Sequence, residues 1–434
     1  MSLLRIVDSA REDAIGLLRK RLHSHATGVE EAVAKIIADV RQRGDAALLE
    51  GARRFDCPHL ESILVTELEW ESAGEGLTEF HAEAIRAALK RVTDFHLSQK
   101  ARLDLAYPEG RWTLQGQNVG QRLLVLESAG IYVPGGLAFY PSSVVMNVGP
   151  ARAAGVPRIV VTTPSSKRGV LHPGILFALR ELDVTEVIKA GGAYAIAALA
   201  LGTESITPVD KIAGPGNRFV NEAKRQLWGA VGLDGYAGSS EVCVLADETA
   251  NPVFAAADLL TQVEHAEDNA GFLVTLSPGK LDQILAEAER QIAGAPREAT
   301  LRKALADFGM AFVARNMSEA LDLVNLIAPE HLTVAVEDPE PLLPHIKNAG
   351  CVLLGEYTPE SAGDFAIGPS HTLPTSGAAR FGSPVNVLDF VKVQSVSMLS
   401  KDDLANLAPI VEAFGEMEGF PAHAFGTTVR FQGL

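Results

Sequence analysis

Hydrophobic positions follow two different patterns along the chain, and the change falls near residue 120. After a short arm rich in Arg and His, the sequence Thr27–Glu30 has the spacing of a capping box, and apolar residues then recur at helical intervals. The stretch from Glu79 to Gln99 repeats the helical spacing. We therefore predict an N-terminal arm followed by mostly helical structure over the first 120 residues.

Short apolar runs then alternate with helical stretches rich in Ala and Leu. This alternation is typical of βαβ units in a parallel sheet covered on both faces, with right-handed crossovers. The runs are too numerous for one sheet, and a helix over Lys401–Met417 is predicted as a C-terminal dimerisation or lid element. The predicted strands are Leu123–Leu126, Arg158–Thr162, Glu186–Lys189, Lys211–Ala213, Val242–Leu245, Phe272–Leu276, Ala311–Val313 and Cys351–Leu354.

Composition limits the class of protein. The chain has 434 residues, of which 47% are hydrophobic, and a net charge of −16, so it can bury several cores and would repel nucleic acid and anionic membranes. Three widely separated cysteines and the lack of a long apolar N-terminal run favour a soluble protein in the reducing cytoplasm. Because no cysteines are paired in sequence, a metal would need nitrogen and oxygen ligands.

Glycine-bearing turns lie at the ends of predicted strands. Backbone amides and helix N-termini at such turns can hold a pyrophosphate, which favours a nucleotide ligand. The dinucleotide fingerprint GxGxxG is absent, because Phe219 stands where its third glycine would fall. The same glycines also fit ordinary turns that need positive φ. The turns are Gly130–Gly136, Gly191–Ala193, Gly214–Asn217 and Ala237–Ser240.

A few histidines have carboxylate or amide neighbours that suggest a metal site. Gln262 and His265 are three residues apart on a predicted helix, so they share a face and could reach one ion. One helix face cannot close a zinc site, and Asp364 with His423 would complete a set of nitrogen and oxygen ligands. Separated His and Asp residues are also common as surface or hydrogen-bonded structure, and that alternative stays open.

Glu330 and His331 are adjacent, after Pro329 interrupts the preceding helical pattern. A turn at this proline could bring both side chains toward one cleft. A Glu and a His together can deprotonate an alcohol and activate water. The alternative, a Glu at a helix end beside a hydrogen-bonded core His, fits the sequence equally well.

A series of motifs, in order along nearly the whole chain, resembles the histidinol dehydrogenase family. So many matches in sequence order make the resemblance specific. The motifs are GIYVPGG at 130–136, YPSS at 140–143, GGA at 191–193, VDKIAGPGN at 209–217, EAKRQ at 222–226, SEV at 240–242, EH at 264–265, APEHL at 328–332, SAGD at 361–364, HTLPT at 371–375 and SGAARF at 376–381.

The resemblance implies an α/β fold with two incomplete Rossmann-like parallel-sheet domains, a helical N-terminal arm and a small C-terminal helical tail exchanged between the subunits of a homodimer. The implied boundaries are 1–27 for the arm, 28–129 plus 241–384 for the first domain with the metal-site residues, 130–240 for the second, NAD-binding domain and 385–434 for the tail.

The resemblance also implies the site residues. Glu330 and His331 would be the acid–base pair, and Glu418 and His423 would come from the neighbouring subunit. Zinc, one per subunit, would be held by Gln262, His265, Asp364 and His423. The implied substrate contacts are Ser240, Gln262, His265, His331, Asp364, His371, Glu418 and His423, and the implied NAD contacts are Tyr132, Tyr194 and Asn217.

The implied reaction is the four-electron oxidation of L-histidinol through L-histidinaldehyde to L-histidine, the last steps of histidine biosynthesis, with two NAD consumed per substrate. Zinc is redox-inert and would orient the nitrogens of histidinol. His331 would accept the hydroxyl proton in the first step, and Glu330 would activate water in the second.

Three turns depart from the family pattern. Ser239 replaces the usual Pro, Tyr194 replaces the usual Gln, and Gly368–Ser370 stands where Gly-Thr-Asn is usual. Because these turns face ligands, the alternative function is a paralogous zinc and NAD dehydrogenase acting on another polar alcohol, such as a sulfonated diol. Retention of Glu418, His371 and the complete Glu330–His331 pair favours histidinol. The retained pair also disfavours a non-catalytic zinc- or nucleotide-binding protein.

Overall fold

The computed structural model describes residues 3–8, 13, 16, 28–108, 118–136 and 138–432. Most of the predicted N-terminal arm, including Thr27 of the predicted capping box, lies outside these residues. The helix predicted to follow begins at Glu30, and Val29 at its N-cap makes no side-chain capping bond.

The helices and strands alternate as the sequence predicts. In chain order they are β1 (Arg5–Asp8), α1 (Glu30–Arg43), α2 (Asp45–Phe55), α3 (Glu67–Glu71), α4 (Glu79–Ala106), β2 (Val119–Val125), β3 (Ser128–Tyr132), α5 (Pro141–Ala154), β4 (Arg158–Thr162), α6 (Pro173–Glu181), β5 (Glu186–Ile188), α7 (Gly192–Leu201), β6 (Lys211–Ala213), α8 (Arg218–Leu227), β7 (Gly232–Leu233), β8 (Glu241–Ala246), α9 (Pro252–Thr261), β9 (Ala270–Thr275), α10 (Pro278–Ile292), α11 (Glu298–Phe308), β10 (Met310–Val313), α12 (Met317–Ile327), β11 (His331–Ala335), β12 (Cys351–Leu354), α13 (Glu360–Phe365), β13 (Val391–Ser397), α14 (Lys401–Met417) and α15 (Pro421–Thr428). Short 3₁₀ turns lie at Glu340–His345, Ala378–Arg380, Val387–Phe390 and Val429–Phe431.

The chain divides into two compact units. The large unit comprises Met1–Lys100 and Val125–Phe390, and the small unit comprises Ala101–Leu124 and Val391–Leu434. Two parallel sheets form the framework of the large unit. The mixed α/β class with parallel sheets, predicted from the alternating pattern, is confirmed.

The first sheet of the large unit has six parallel strands in the order β1-β10-β9-β8-β11-β12. Alternate residues of β8 face opposite cores. Val242 and Val244 pack with α9, α10 and α11, while Cys243 and Leu245 pack with α12. Because helices cover both faces, the strands are continuous apolar runs, which is why the sequence pattern predicts most of them correctly.

The second sheet of the large unit has five parallel strands in the order β5-β4-β3-β6-β7. One face packs against α7 and α8, and α1 and α2 join the same core. The predicted domain boundaries stay a prediction, with one amendment. Residues 30–55, assigned from the resemblance to the first sheet's domain, pack with the second sheet.

Some sequence predictions need correction. The predicted helix that carries Gln262 and His265 ends at Thr261, so both residues lie in the following turn. The glycine turn predicted at Gly130–Gly136 begins inside strand β3. Strands β1, β3, β7 and β11 were not predicted, because each is short or has no clear alternation of apolar and polar residues. Strand β13 was also not predicted, although its first residues alternate.

The small unit combines a two-stranded sheet of β2 and β13 with the helix pair α14 and α15. Helix α14 coincides with the predicted Lys401–Met417. The two helices approach closely, since a Cβ atom at Gly415 would lie 3.0 Å from the Cβ of Ala424. Among the described residues, no helix is long and apolar enough to cross a membrane.

Gly214, directly after β6, allows a close backbone approach at the carboxyl end of the second sheet. Its φ is +120°, and a Cβ atom there would lie 2.1 Å from the carbonyl oxygen of Tyr132. We expect Gly214→Ala to lower the free energy of unfolding by about 2–4 kcal/mol, because strain adds to a clash with rigid backbone. Denaturant unfolding followed by circular dichroism measures this loss.

Gly229→Ala is the matched control, since Gly229 has φ +97° and open space where the Cβ would lie. It should cost about 1 kcal/mol, the strain alone. Equal losses for the two variants would show that the approach of Tyr132 to Gly214 is unimportant.

Candidate functional site

The polar residues of the candidate site gather at the amino ends of β8 and β11, in the middle of the first sheet. The parallel register pairs His331 with Val242, so the two strands begin side by side. Between the starts of the two strands, the backbone N–H of Glu241 donates to Glu330 Oε2 at 2.9 Å. The predicted Glu330–His331 pair is therefore held by the sheet, with both side chains buried.

His331 contacts Asp364, which is one of the predicted metal ligands. The distance from His331 Nε2 to Asp364 Oδ1 is 3.1 Å, and Gln262 Nε2 donates to Asp364 Oδ2 at 2.8 Å. All three side chains are buried. The predicted acid–base residue and two predicted metal ligands thus form one contact chain, although they come from three separate segments.

Glu360 is a member of this group that the sequence analysis missed. It begins α13, one helical turn before Asp364, so the two carboxylates share a helix face. Its side chain is fully buried, and its Oε1 lies 3.8 Å from His331 Nδ1. Two acids four residues apart, next to the SAGD motif, were the available sequence signal.

Burial and charge shift the pKa values of the group in opposite directions. Burial raises the pKa of Glu330 to about 8 and that of Glu360 to about 7. Burial alone would lower the pKa of His331, but the carboxylates of Glu360 and Asp364 outweigh it and raise the pKa overall. The contact with His331 keeps the pKa of Asp364 below its usual value despite burial. The group has the proton affinities that acid–base chemistry needs.

The donor set fits a divalent cation with nitrogen and oxygen ligands. His331, Glu360 and Asp364 each offer a ligand atom within 4.8 Å of the others. Two of the buried atoms, His331 Nδ1 and Glu360 Oε1, have no hydrogen-bond partner. Nitrogen and oxygen ligands of this kind suit zinc, and Asp364, which Gln262 contacts, is the member of this cluster that belongs to the predicted ligand set.

Other predicted substrate residues border the same group. His371 Nδ1 lies 3.0 Å from the carbonyl oxygen of Asp364, and its Nε2 lies 3.4 Å from Ser143 Oγ. Ser143, in the YPSS motif, lies on α5, which packs against strand β3 of the second sheet. His371 therefore lies between groups from the two sheets. Ser240 immediately precedes β8 and is tied to the metal-site turn through Asn269.

The remaining predicted metal and substrate residues are more exposed. His265 is exposed, although its charge interacts with that of Asp364. Glu418 and His423 are exposed residues of the small unit, at the C-cap of α14 and on α15. The large unit by itself therefore brings together Gln262, Asp364, Glu330, His331 and His371, but supplies neither Glu418 nor His423.

The predicted NAD residues lie at carboxyl ends of the second sheet and at the starts of its helices. Tyr132 ends β3, and its hydroxyl oxygen accepts from the backbone N–H of Gly192 at 3.2 Å. Tyr194 lies in the first turn of α7, and its ring atoms come within 2.7 Å of where a Cβ of Gly51 would be. Asn217 caps α8 through its side-chain oxygen.

The residues that depart from the family pattern have local structural roles. Ser239 Oγ donates to Asp268 at 2.6 Å, and Ser370 Oγ accepts from the backbone N–H of Thr372 at 3.1 Å. Gly368 has φ +122° and lies against Phe95 of α4. These turns are thus hydrogen-bonded or packed without the usual residues.

Comparison with known proteins identifies the family of the chain. A family model described as histidinol dehydrogenase matches residues 19–431. The chain belongs to the histidinol dehydrogenase family. It is 44% identical over 416 residues to histidinol dehydrogenase of Bacillus subtilis, covering 95% of this chain and 96% of the relative. It is 43% identical to that of Geobacter sulfurreducens, with 100% of both chains covered.

A solved structure agrees with the sequence relatives. The crystal structure of histidinol dehydrogenase from Elizabethkingia anophelis is 33% identical, has a TM-score of 0.90 and covers 100% of this chain and 99% of that chain. Histidinol dehydrogenases oxidise histidinol to histidine in histidine biosynthesis and use NAD and zinc. The chain is accordingly an NAD-dependent oxidoreductase that acts on an alcohol and an aldehyde.

Asn269 links the two halves of the site, which gives a test of the geometry. Its Oδ1 accepts from the backbone N–H of Ser240 at 3.1 Å, and its Nδ2 donates to the carbonyl oxygen of Gln262 at 2.6 Å. We expect Asn269→Ala to lower the free energy of unfolding by about 1–3 kcal/mol, because two backbone groups lose their partners. With Gln262 and Ser240 no longer fixed, kcat/KM for histidinol should fall about tenfold.

Asn316→Ala is the matched control, because Asn316 is a helix N-cap whose oxygen accepts from the backbone N–H of Glu319 at 3.0 Å. It should cost about 1 kcal/mol of stability and leave kcat/KM unchanged. Unfolding and NADH formation are measured on both variants. Wild-type kcat/KM in Asn269→Ala would contradict the linking role.

Proposed function

We propose that Gln262, His265 and Asp364 hold one zinc ion per subunit, with His423 of a second copy as the fourth protein ligand. The contact between Gln262 and Asp364, at 2.8 Å, supports this set because it brings two of the ligand side chains together. Bound there, zinc would fix the amine and imidazole nitrogens of histidinol and offset part of the buried carboxylate charge, without taking electrons itself.

Within this proposal, His331 accepts the proton of the substrate hydroxyl while hydride passes to NAD. The observation that carries this role is the 3.1 Å contact between His331 Nε2 and Asp364. In this contact Nε2 donates to the carboxylate, and it would be free to take the substrate proton when Asp364 holds the cation instead. The products of this step are the aldehyde, NADH and one proton, which His331 holds. The neighbouring carboxylates that raise the pKa of His331 would stabilise the charged ring that forms when it takes the proton.

Glu330 acts in the second oxidation. Its buried carboxylate removes a proton from water as the oxygen attacks the aldehyde carbon, and a second NAD takes hydride from the hydrated aldehyde. The raised pKa of Glu330 supports this role, because a strongly basic carboxylate is a better proton acceptor. His371, Ser240 and Glu418 complete the substrate contacts, and Tyr132, Tyr194 and Asn217 contact NAD.

The two roles predict different blocks in the reaction. In single-turnover experiments with excess NAD, His331→Asn should form no NADH within the time of a wild-type turnover, because loss of the acceptor slows the first step about 10²–10⁴-fold. Glu330→Gln should form one NADH per bound histidinol and stop at the aldehyde. The measurement is NADH absorbance in a rapid-mixing instrument, with zinc content checked for each variant.

Two outcomes would reject these roles. If Glu330→Gln still forms two NADH at the wild-type rate, Glu330 does not activate water. If His331→Asn forms NADH at the wild-type rate, His331 is not the acceptor.

We also propose that the chain is a homodimer with shared active sites, acting in the cytoplasm. Apolar side chains that stay at least 40% exposed in the small unit support a surface covered by a second copy. The unpaired cysteines suit a reducing compartment. The exposed apolar residues are Leu105, Val119, Val393, Met398, Leu399, Leu407, Ile410, Phe414, Met417, Phe420 and Phe425.

Shared sites predict complementation between two inactive variants. In a heterodimer of His331→Asn and His423→Asn subunits, one site keeps both histidines and the other loses both. Random subunit exchange should therefore restore about one quarter of wild-type activity, since half of the dimers carry one intact site of two. NADH formation is measured before and after exchange.

The control is a mixture of His331→Asn with Glu330→Gln. Both changes alter the same segment of the large unit, so no exchanged dimer has an intact site, and NADH formation should not rise on exchange. Absence of recovery in the first mixture, with exchange shown by native mass spectrometry, would show that each site uses the His423 of its own chain.

A further inference from the structure

Two buried polar atoms without hydrogen-bond partners face each other beside the acid–base pair. They are His331 Nδ1 and Glu360 Oε1, and the distance between them is 3.8 Å. An unsatisfied buried polar atom is destabilising, so each of these two atoms is the natural partner of the other when Nδ1 carries a proton.

Glu330 is the competing partner for the same ring nitrogen. Its Oε2 lies 3.9 Å from His331 Nδ1, but this oxygen already accepts the backbone N–H of Glu241 at 2.9 Å. The Glu360 oxygen that faces the ring accepts from no described residue. The unmatched acceptor therefore belongs to Glu360.

The surroundings of Glu360 hold its carboxylate in place. Its other oxygen, Oε2, is hydrogen-bonded to the hydroxyl of Thr261, and its backbone N–H donates to Asp258 Oδ1 at 3.4 Å. The side chain has 0% exposure. A carboxylate fixed at one oxygen and closed off from solvent keeps its second oxygen near His331 Nδ1.

We propose that Glu360 is the positioning residue of His331: it accepts the hydrogen bond from Nδ1–H and so fixes the ring with Nε2, the nitrogen that exchanges the substrate proton, on the side of Asp364. The proposal rests on the role of His331 proposed above. Which ring nitrogen of a histidine carries the proton is set by the hydrogen bond that the other nitrogen makes. Glu360 would thereby leave Glu330 free to act on water.

The first test separates positioning from metal binding by kinetics. Glu360→Leu in the zinc-loaded enzyme should lower kcat for histidinol about 10²–10⁴-fold, as expected when acid–base function is lost. KM should change less than about threefold, and zinc should stay stoichiometric, because no substrate or metal contact is removed. Glu360→Gln, whose amide oxygen can still accept from Nδ1, should recover part of kcat.

Glu356→Gln is the matched control. Glu356 lies in the same segment but is exposed, so kcat, KM and zinc content should match the wild type. Wild-type kcat in Glu360→Leu would overturn the proposal. Loss of zinc in proportion to kcat would also overturn it, because Glu360 would then be a metal ligand.

The second test does not depend on turnover. A carboxylate-held Nδ1–H should give a downfield proton resonance in NMR spectra of the zinc-loaded enzyme labelled with ¹⁵N-histidine. The resonance should vanish in His331→Asn and Glu360→Leu and persist in Glu330→Gln. Loss in Glu330→Gln with persistence in Glu360→Leu would assign the proton to Glu330 and reject the proposal.

The two tests distinguish this proposal from the function on which it rests. An enzyme that fails to oxidise histidinol, but shows the predicted NMR pattern, would contradict the proposed roles in turnover and support the positioning of His331. Normal oxidation with an unchanged resonance in Glu360→Leu would contradict the positioning alone.

Discussion

Three carboxyl groups and one imidazole are buried together at the start of the central strands, and their electrostatics constrain the rest of the site. Glu330, Glu360, Asp364 and His331 are each at most 7% exposed. Burying an uncompensated charge costs several kcal/mol, so this group must take up protons or neighbour a cation. The raised pKa values of Glu330 and Glu360 reflect the first response. Zinc and the amine of histidinol would supply the second.

The parallel sheets explain how this group is built and supplied with cofactor. Register between β8 and β11 places Glu241 beside Glu330 and begins β11 at His331. The predicted NAD residues follow strands of the other sheet, at its carboxyl ends. His371, which contacts Ser143 from that side, lies between the two groups. The proposed acid–base group and the predicted NAD residues thus lie at opposite strand ends of two sheets.

Sequence patterns predicted the strands and helices that local hydrophobic periodicity determines. The buried strands of the first sheet and helix α14 follow from apolar runs and helical spacing. Strand β11 could not be predicted in this way, because it is short, begins with His331 and owes its place to pairing with β8. The end of α9 at Thr261 was also missed, since the turn beyond it continues the helical spacing.

Sequence motifs identify some residues of the candidate site, and others are evident only from tertiary packing. Motifs identified Glu330, His331, Gln262 and Asp364, and the structure brings them together. Glu360 was missed because its role depends on Thr261, 99 residues away in sequence, and on a ring nitrogen left without a partner. Contacts of this kind arise from tertiary packing, which a single sequence does not display.

We infer that this buried acid group carries one substrate through two successive oxidations at one site. The stoichiometry of the zinc-loaded wild-type enzyme with limiting L-histidinol and excess NAD tests this inference. We expect two NADH per histidinol, with L-histidine as the product and no aldehyde released. One NADH with free histidinaldehyde, or no turnover of histidinol beside turnover of another polar alcohol, would contradict it.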